Sequence, residues 1–313
     1  MKPTAAEIVR RAVDGERRSL SRAITRIEDR DGQILSALSS VAIRRRAGPG
    51  APHVIGLTGP PGAGKSTFAD RLIEDGRRRG WRVAVVAVDP SSPFSGGAIL
   101  GDRVRMERHT GDDAVYIRSL SSRGHLGGLS SATSDVVDLL DAVGFERIIV
   151  ETVGVGQSEL GVLEVCDTAF VVLTPESGDT VQTMKAGLLE IADIFVVNKA
   201  DRMGADRLVR DLQQMVELDD DFEGWKAPVF ATSATEGRGL DAVVEAAEHH
   251  RAWLSADGRA CWERRRGDAR VRTYLDRVAE YWRGVARQKL SAENEAGLRS
   301  GRIAPHAAAE WVR

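Results

Sequence analysis

The chain has 313 residues, with 44 Lys and Arg against 46 Asp and Glu, for a formal net charge of −2. That length carries about two domains and a sizeable core, and the near-neutral balance excludes a protein that grips nucleic acid by bulk electrostatics. A 42% hydrophobic share with 29% charged residues excludes a disordered chain, while 32 glycines point to tight turns and loops that approach a ligand closely. The two cysteines, Cys166 and Cys261, form no CxxC pair, which rules out a disulfide scaffold or zinc knuckle and fits a reducing compartment. No apolar run reaches the ~18 residues of a membrane span. The first twenty residues lack a secretory apolar stretch, and Glu7, Asp14 and Glu16 are too many acids for a transit peptide. The expectation is a cytoplasmic protein with neither membrane nor nucleic acid as partner.

Residues 1–46 read as helical. Ile8, Ala12, Leu20, Ile24, Ile27, Leu35, Leu38 and Val41 recur at spacings near three and four, with breaks expected at Asp14-Gly15 and Asp31-Gly32. Arg44-Arg45-Arg46 and the Gly/Pro run after it read as a solvated linker. From His53 onward the pattern alternates. Short β-branched runs at 54–58, 82–89, 114–120, 147–151, 168–174, 193–199 and 228–233 are nearly continuous, as in strands buried on both faces. Helical stretches lie between them at 65–79, about 129–142, 156–165, 179–191, 204–218 and 239–254. Such alternation predicts an α/β fold with a mostly parallel sheet covered by helices. Residues 255–313 return to helix, where Val271, Tyr274, Val278, Tyr281 and Val285 fit a heptad widened by Leu275 and Trp282. This stripe packs either on its own domain or on a second copy. The expected domains are a helical extension over 1–50, a nucleotide-binding domain over 51–255 and a helical arm over 256–313.

The strongest local signal is Gly59-Pro60-Pro61-Gly62-Ala63-Gly64-Lys65-Ser66, directly after a strand and before a helix. It matches G-x-x-x-x-G-K-[ST]. Backbone N–H groups must wrap a polyanion closely, so glycines leave room, and the following helix adds positive charge at its N-terminus. Lys65 would supply a point charge to the β- and γ-phosphates, Ser66 a hydroxyl to Mg²⁺, and Thr67 would reach an α-phosphate.

Asn198-Lys199-Ala200-Asp201 chooses the base. It ends a strand about 130 residues past the phosphate loop, where a parallel sheet presents its ligand groups. A carboxylate at Asp201 would accept from guanine N1–H and the 2-amino group, donors that adenine lacks. Lys199 would lie along the base and Asn198 would tie loops together. Ser233-Ala234-Thr235, after the next strand, suits a loop that closes on guanine O6 through backbone N–H.

Three carboxylates suit a metal–phosphate centre: Asp89 at a strand end, Asp102 in Gly101-Asp102-Arg103, and Glu151 ending RIIVE. Asp89 also reads as a turn former before proline, and Asp102 as a helix N-cap. Glu151-Thr152-Val153-Gly154 resembles the D-x-x-G switch, with Gly154 offering its N–H to a γ-phosphate. Residues 89–102 read as a mobile loop that orders on a ligand or partner. Gln182 and Lys185 either reach the phosphates or a partner, or form the polar face of a helix.

GPPGAGKST, DPSSPFSGGAILGDRVRM, ETVGVGQSE, ESGDTVQTMKAG and NKADR together resemble the GTPases associated with methylmalonyl-CoA mutase, formerly described as arginine/ornithine transport-system ATPases. The resemblance covers about residues 5–290. It implies a P-loop NTPase of the SIMIBI type, with a Ras-like core, an N-terminal helical extension and a C-terminal dimerisation arm, hence a homodimer. It implies Mg²⁺-dependent GTP hydrolysis to GDP, coupled to loading, protecting and repairing the cobalamin cofactor of an adenosylcobalamin-dependent acyl-CoA mutase. By motif match, Lys65, Ser66, Asp89, Asp102, Glu151, Asn198, Lys199 and Asp201 take nucleotide and metal roles, and Gln182 and Lys185 fall in the third switch. Val155 stands where many GTPases carry a water-orienting Gln, so hydrolysis is expected to be slow until a partner orders the switches; Gln157 is a nearby substitute.

Three rivals are weighed against this. A nickel-delivering metallochaperone GTPase needs His or Cys ligands, and His249-His250, the only His pair, points its two rings about 100° apart on a helix. A kinase of a transport protein conflicts with the guanine reader. A non-catalytic interaction module conflicts with Lys65, Ser66 and the carboxylates.

Overall fold

A computed structural model describes residues 2–45, 51–89, 108–109, 111–121, 131–152, 165–177, 192–217 and 224–304. Met1–Glu263 form one compact unit and Arg264–Arg313 a second.

The first unit begins with α1 (Ala5–Val13), α2 (Arg17–Glu28) and α3 (Gly32–Arg45). Thr4 and Glu7 make a reciprocal capping box at the start of α1, satisfying two otherwise orphaned N–H groups. The first break falls at Asp14-Gly15 as read. The second lies earlier than expected: Gly32 is already helical, because the Asp31 carboxylate accepts the Gln33 N–H at 2.9 Å and starts α3.

Seven strands follow, all paired in parallel: β1 (His53–Thr58), β2 (Val83–Asp89), β3 (Val115–Ser121), β4 (Arg147–Thr152), β5 (Thr168–Leu173), β6 (Ile194–Val197) and β7 (Val229–Ala231), in the order β3-β2-β4-β1-β5-β6-β7. The predicted boundaries shift by one or two residues, most at β6 and β7. Past β6, Asn198 N–H still reaches Leu173 O at 2.8 Å, and Lys199 then turns the chain away in a left-handed conformation at φ 57°. β1, β4, β5 and β6 are buried throughout, whereas the edge strand β7 is only partly covered, unlike the fully buried run its sequence suggested. The expected helices at 156–165 and 179–191 fall on residues outside the described set, save Val165.

Alternate residues of each strand feed opposite faces. Val54, Ala84, Val86, Ile148 and Val150 pack under α5 (Ser131–Val143) and the three N-terminal helices as one cluster. Ile55, Leu57, Val83, Val85, Ile149, Phe170 and Val172 pack on α4 (Lys65–Arg78) and α7 (Leu240–Leu254). On the β5–β6 side, Val171, Leu173, Phe195 and Val197 meet Ala205, Leu208 and Leu212 of α6 (Ala205–Glu217). Each large side chain buried this way contributes about 1.5–3 kcal/mol. Arg30, in the turn after α2, ion-pairs with the buried Asp135 of α5 at 3.1 Å, which fixes the N-terminal helices to the sheet's cover. α8 (Arg259–Lys289) and α9 (Ala292–Arg299) complete the described helices.

The N-terminal edge of the sheet is closed by buried polar groups. His53 Nε2 lies 2.7 Å from Thr168 Oγ1, which lies 2.9 Å from His250 Nδ1. The Arg147 guanidinium sits over Trp81 and pairs with Glu248, whose carboxylate lies 3.9 Å from His53 Nδ1. Burial pushes the His53 imidazole below its ordinary value of 6.5, so it is neutral at pH 7. For Glu248, burial raises the carboxyl, but the His53 and Arg147 contacts outweigh that and hold it at about 2. A depressed imidazole favours the neutral form, so its contribution to stability is full above its unfolded value and is lost as pH falls below it. The Glu248 contribution is full above its ordinary value of 4.5 and is lost towards 2. Both make acid destabilising. Thermal melts at pH 7.5, 6 and 5 should show a falling midpoint, and His53→Gln should flatten part of that slope. An identical slope in the variant would exclude His53 as a source.

Candidate nucleotide site

The C-terminal ends of β1, β4 and β5–β7 converge on the turn between β1 and α4. Gly59 takes φ 135°, and a Cβ there would lie 2.0 Å from the Val172 carbonyl oxygen of β5. Gly64 takes φ 91°, and its Cβ would lie 2.3 Å from Asn198 Nδ2. Backbone and neighbour leave no room for a side chain at either position. Gly62, in contrast, faces open space at φ 76°, so that it is the left-handed backbone and not a neighbour that calls for glycine there. Pro60, Pro61 and Ala63 complete the turn, with Ala63 N–H donating to Pro60 O at 3.2 Å. Lys65 opens α4, is buried, and donates from Nζ to Gly59 O at 2.5 Å and Pro60 O at 3.0 Å. The ammonium is therefore curled inside the loop it would share with a phosphate. Thr67 follows in the first turn of α4, half-buried.

Ser66 Oγ donates to Glu151 Oε1 at 2.7 Å across the gap between α4 and β4. Glu151 is 1% exposed. A hydroxyl and a carboxylate held together at the mouth of a phosphate loop are the donor set a hard divalent cation takes, so these residues fit Mg²⁺. Thr152 Oγ1 reaches Leu57 O at 3.3 Å and pins the end of β4 to that of β1. Asp89 closes β2 in register with Ser121. Asp102, Gly154, Val155, Gln157, Gln182 and Lys185 lie outside the described residues.

Asn198 joins three segments. Its Nδ2 donates to Ala63 O at 2.8 Å, and its Oδ1 accepts the Ala234 N–H at 3.0 Å and the Thr232 hydroxyl at 3.4 Å. The turn it begins is strained at Lys199 and held by Ala200 N–H to Thr232 O at 2.9 Å. Asp201 is exposed at the end of this turn. Arg202 pairs with Glu176, holding that carboxyl down to about 2, and so joins the turn to the short 3₁₀ segment Pro175–Ser177. Ser233, Ala234 and Thr235 form a tight loop, with Ser233 N–H to Arg238 O at 3.0 Å and Arg238 N–H to Ser233 O at 3.1 Å. Sequence reasoning missed Arg71, which touches this loop from α4. Its contact lies 163 positions away, and no local pattern announces it.

A phosphate loop at the carboxyl edge of a parallel sheet, with a second loop tied to it through one asparagine, defines a P-loop nucleoside triphosphatase. Residues 20–286 match the family described as methylmalonyl Co-A mutase-associated GTPase MeaB, and the chain belongs to that family of GTPases. It is 46% identical over 273 residues to a putative GTPase of Pyrococcus horikoshii, covering 86% of this chain and 85% of that protein. It is 40% identical over 263 residues to the GTPase ArgK of Escherichia coli, covering 82% and 78% of the two chains. It is also 35% identical over 260 residues to the mitochondrial methylmalonic aciduria type A homolog of mouse, covering 79% and 63%. Among solved structures, a LAO/AO transport system kinase matches with a TM-score of 0.69 and 27% identity, over 100% of this chain and 97% of that one.

Gly64→Ala should force Asn198 away from Ala63 and Ala234. We expect GDP affinity, followed by calorimetry, to fall at least about tenfold, the equivalent of one or two lost hydrogen bonds. Asn198→Ala should show the same loss. Unchanged affinity in Gly64→Ala would show that the tie between the two loops is dispensable.

Proposed function

We propose that this GTPase is the chaperone of an adenosylcobalamin-dependent acyl-CoA mutase, most plainly methylmalonyl-CoA mutase, and that it couples GTP binding and hydrolysis to cofactor loading, protection and reactivation. The family membership carries this reading. The site supports the nucleotide chemistry. Lys65 is poised to move its Nζ from the Gly59 and Pro60 carbonyls onto the β- and γ-phosphates. Asn198, Lys199 and Asp201 select guanine, with Ser233, Ala234 and Thr235 closing over O6. Ser66 and Glu151 hold Mg²⁺, with Asp89 and Asp102 adding carboxylates, and the ion neutralises charge on the phosphates when bound. Gly154 senses the γ-phosphate, and Gln182 and Lys185 act at the third switch.

Val155 leaves the isolated protein without the usual water-orienting Gln. GTP turnover by the purified protein with Mg²⁺ is therefore expected to be slow and to rise when a cobalamin-dependent acyl-CoA mutase is added, with no ATP turnover in parallel. Fast turnover alone would remove the need for a partner. No response to any mutase would leave a GTPase without this client. Preference for ATP would overturn the reading of Asp201.

The second unit supplies the dimer contact. Tyr274, Tyr281 and Trp282 of α8 are 64%, 67% and 51% exposed, and Val271 and Leu275 lie beside them. Such a stripe along one helix is larger than scattered surface hydrophobes explain, and a second copy covers it. Sedimentation should give a dimer that Tyr274→Glu with Trp282→Glu converts to a monomer, GDP binding being retained. A monomeric wild-type chain at micromolar concentration would refute this.

A further inference from the structure

The Ser233–Thr235 loop is braced from a helix that begins at the phosphate loop. Arg71, on α4, donates from Nε to Ala234 O at 3.0 Å and from Nη2 to Thr235 O at 3.3 Å. Its third nitrogen, Nη1, donates to Glu74 Oε2 at 2.7 Å. Glu74 gives its other oxygen to Arg108 Nη1 at 2.7 Å. Arg108 also pairs with Asp70, which accepts from His109 Nε2 at 2.8 Å. One planar guanidinium thus holds two successive carbonyls of the loop, and its own plane is fixed by a carboxylate anchored elsewhere. Lysine, a point donor on a flexible stem, cannot reproduce that fork.

The geometry has a consequence for the loop's donors. In a trans peptide the C=O and the following N–H point to opposite sides. Holding Ala234 O on Arg71 therefore aims the Thr235 N–H away from α4. Holding Thr235 O there turns the Glu236 N–H inward, where it meets Ser233 O at 3.1 Å. Asn198 accepts the Ala234 N–H from the other flank at 3.0 Å. The loop is clamped between Asn198 and Arg71, and the direction of its N–H groups is set by the clamp.

We propose that Arg71 is a positioning residue for base recognition, holding the Ser233–Thr235 loop so that the Thr235 N–H, the loop donor not already given to Arg238 O or Asn198 Oδ1, meets the 6-oxo group of guanine. This rests on the assignment of that loop to guanine in the proposed function. Glu74 and Arg108 keep the Arg71 fork in plane, so the same clamp runs from the base loop to residues 108–109 along the outer side of α4.

The test is a double cycle between residue and base. GDP and 2-aminopurine riboside diphosphate, which lacks the 6-oxo group, are titrated by calorimetry into wild type, Arg71→Met, Arg71→Lys and Glu74→Gln. Arg71→Met should weaken GDP roughly tenfold, as expected for two neutral-acceptor hydrogen bonds, while the 2-aminopurine nucleotide changes much less. Arg71→Lys should recover only part of the loss, and Glu74→Gln should show a smaller loss of the same kind. Equal weakening of both nucleotides would mean that Arg71 supports the fold or the phosphate loop and not the base contact, and would overturn the proposal. Unchanged GDP affinity would overturn it as well. Wild-type protein that fails to discriminate GDP from ADP would sink the guanine reading itself, a result separable from the others because it needs no variant. Should Arg71→Met fail to fold, Arg71→Lys and Glu74→Gln carry the same comparison.

Discussion

The site depends on how closely the turn after β1 is pressed against its neighbours. Gly59 lies against the backbone of β5, and Gly64 lies against the amide of Asn198, each closer than any Cβ permits. That approach does two things together. It wraps backbone N–H groups around the space where a polyanion sits, and it brings the end of β6 into hydrogen-bond contact with the phosphate loop. The same asparagine accepts from the loop after β7. Three strand ends are thereby fixed to one another before any ligand arrives. Preorganisation of this kind lets binding free energy go into nucleotide contacts instead of loop ordering.

The opposite edge of the sheet explains why the carboxyl edge can be so polar. A parallel sheet buried on both faces leaves its strand ends as the only places where backbone and polar side chains face outward. At the amino edge those groups are turned inward on each other: His53, Thr168, His250, Arg147 and Glu248 form one connected group under α7. Asp167 and Asp193 accept backbone N–H groups of Val54 and Ala169 at 3.0 and 2.8 Å, closing the strand starts. That edge is built for stability. The carboxyl edge holds its polar groups, Lys65, Ser66 and Glu151, in contacts that a nucleotide and a cation can take over.

Much of this was legible in the sequence, for a physical reason. Strands buried on both faces carry continuous β-branched runs, so RIIVET and VAVVAVD declared themselves without any partner being known. The phosphate loop was legible because its glycines answer a local backbone requirement. Other features were not, because their causes are distant in sequence. Gly32 looked like a helix break, yet Asp31 caps the helix it begins. PVFATS looked fully buried, yet it forms the edge of the sheet, and its composition carries no record of which neighbour it lacks. Arg71 lies in the helical stretch 65–79, where nothing in the local pattern sets it apart from the other charges. Its role as a clamp is set by a loop that folds back from far downstream.

The N-terminal helices show how an appended segment becomes part of the machinery's support. Their apolar residues enter the same cluster as α5 and the inner residues of β1, β2 and β4. Tyr116 of β3 meets Ser21 of α2 at 3.2 Å, and Arg118 pairs with Glu28. β2 and β4, whose ends carry Asp89 and Glu151, contribute Ala84, Val86, Ile148 and Val150 to that shared cluster. Loosening α1–α3 would uncover α5 and the outer contacts of Tyr116 and Arg118 on β3, although the helices lie on the sheet's face and not at its carboxyl edge. The nucleotide site is thus held from both sides of the sheet: α4 carries Lys65 and Ser66 on one face, and on the other the strand bearing Glu151 packs into the cluster that α5 shares with the N-terminal helices.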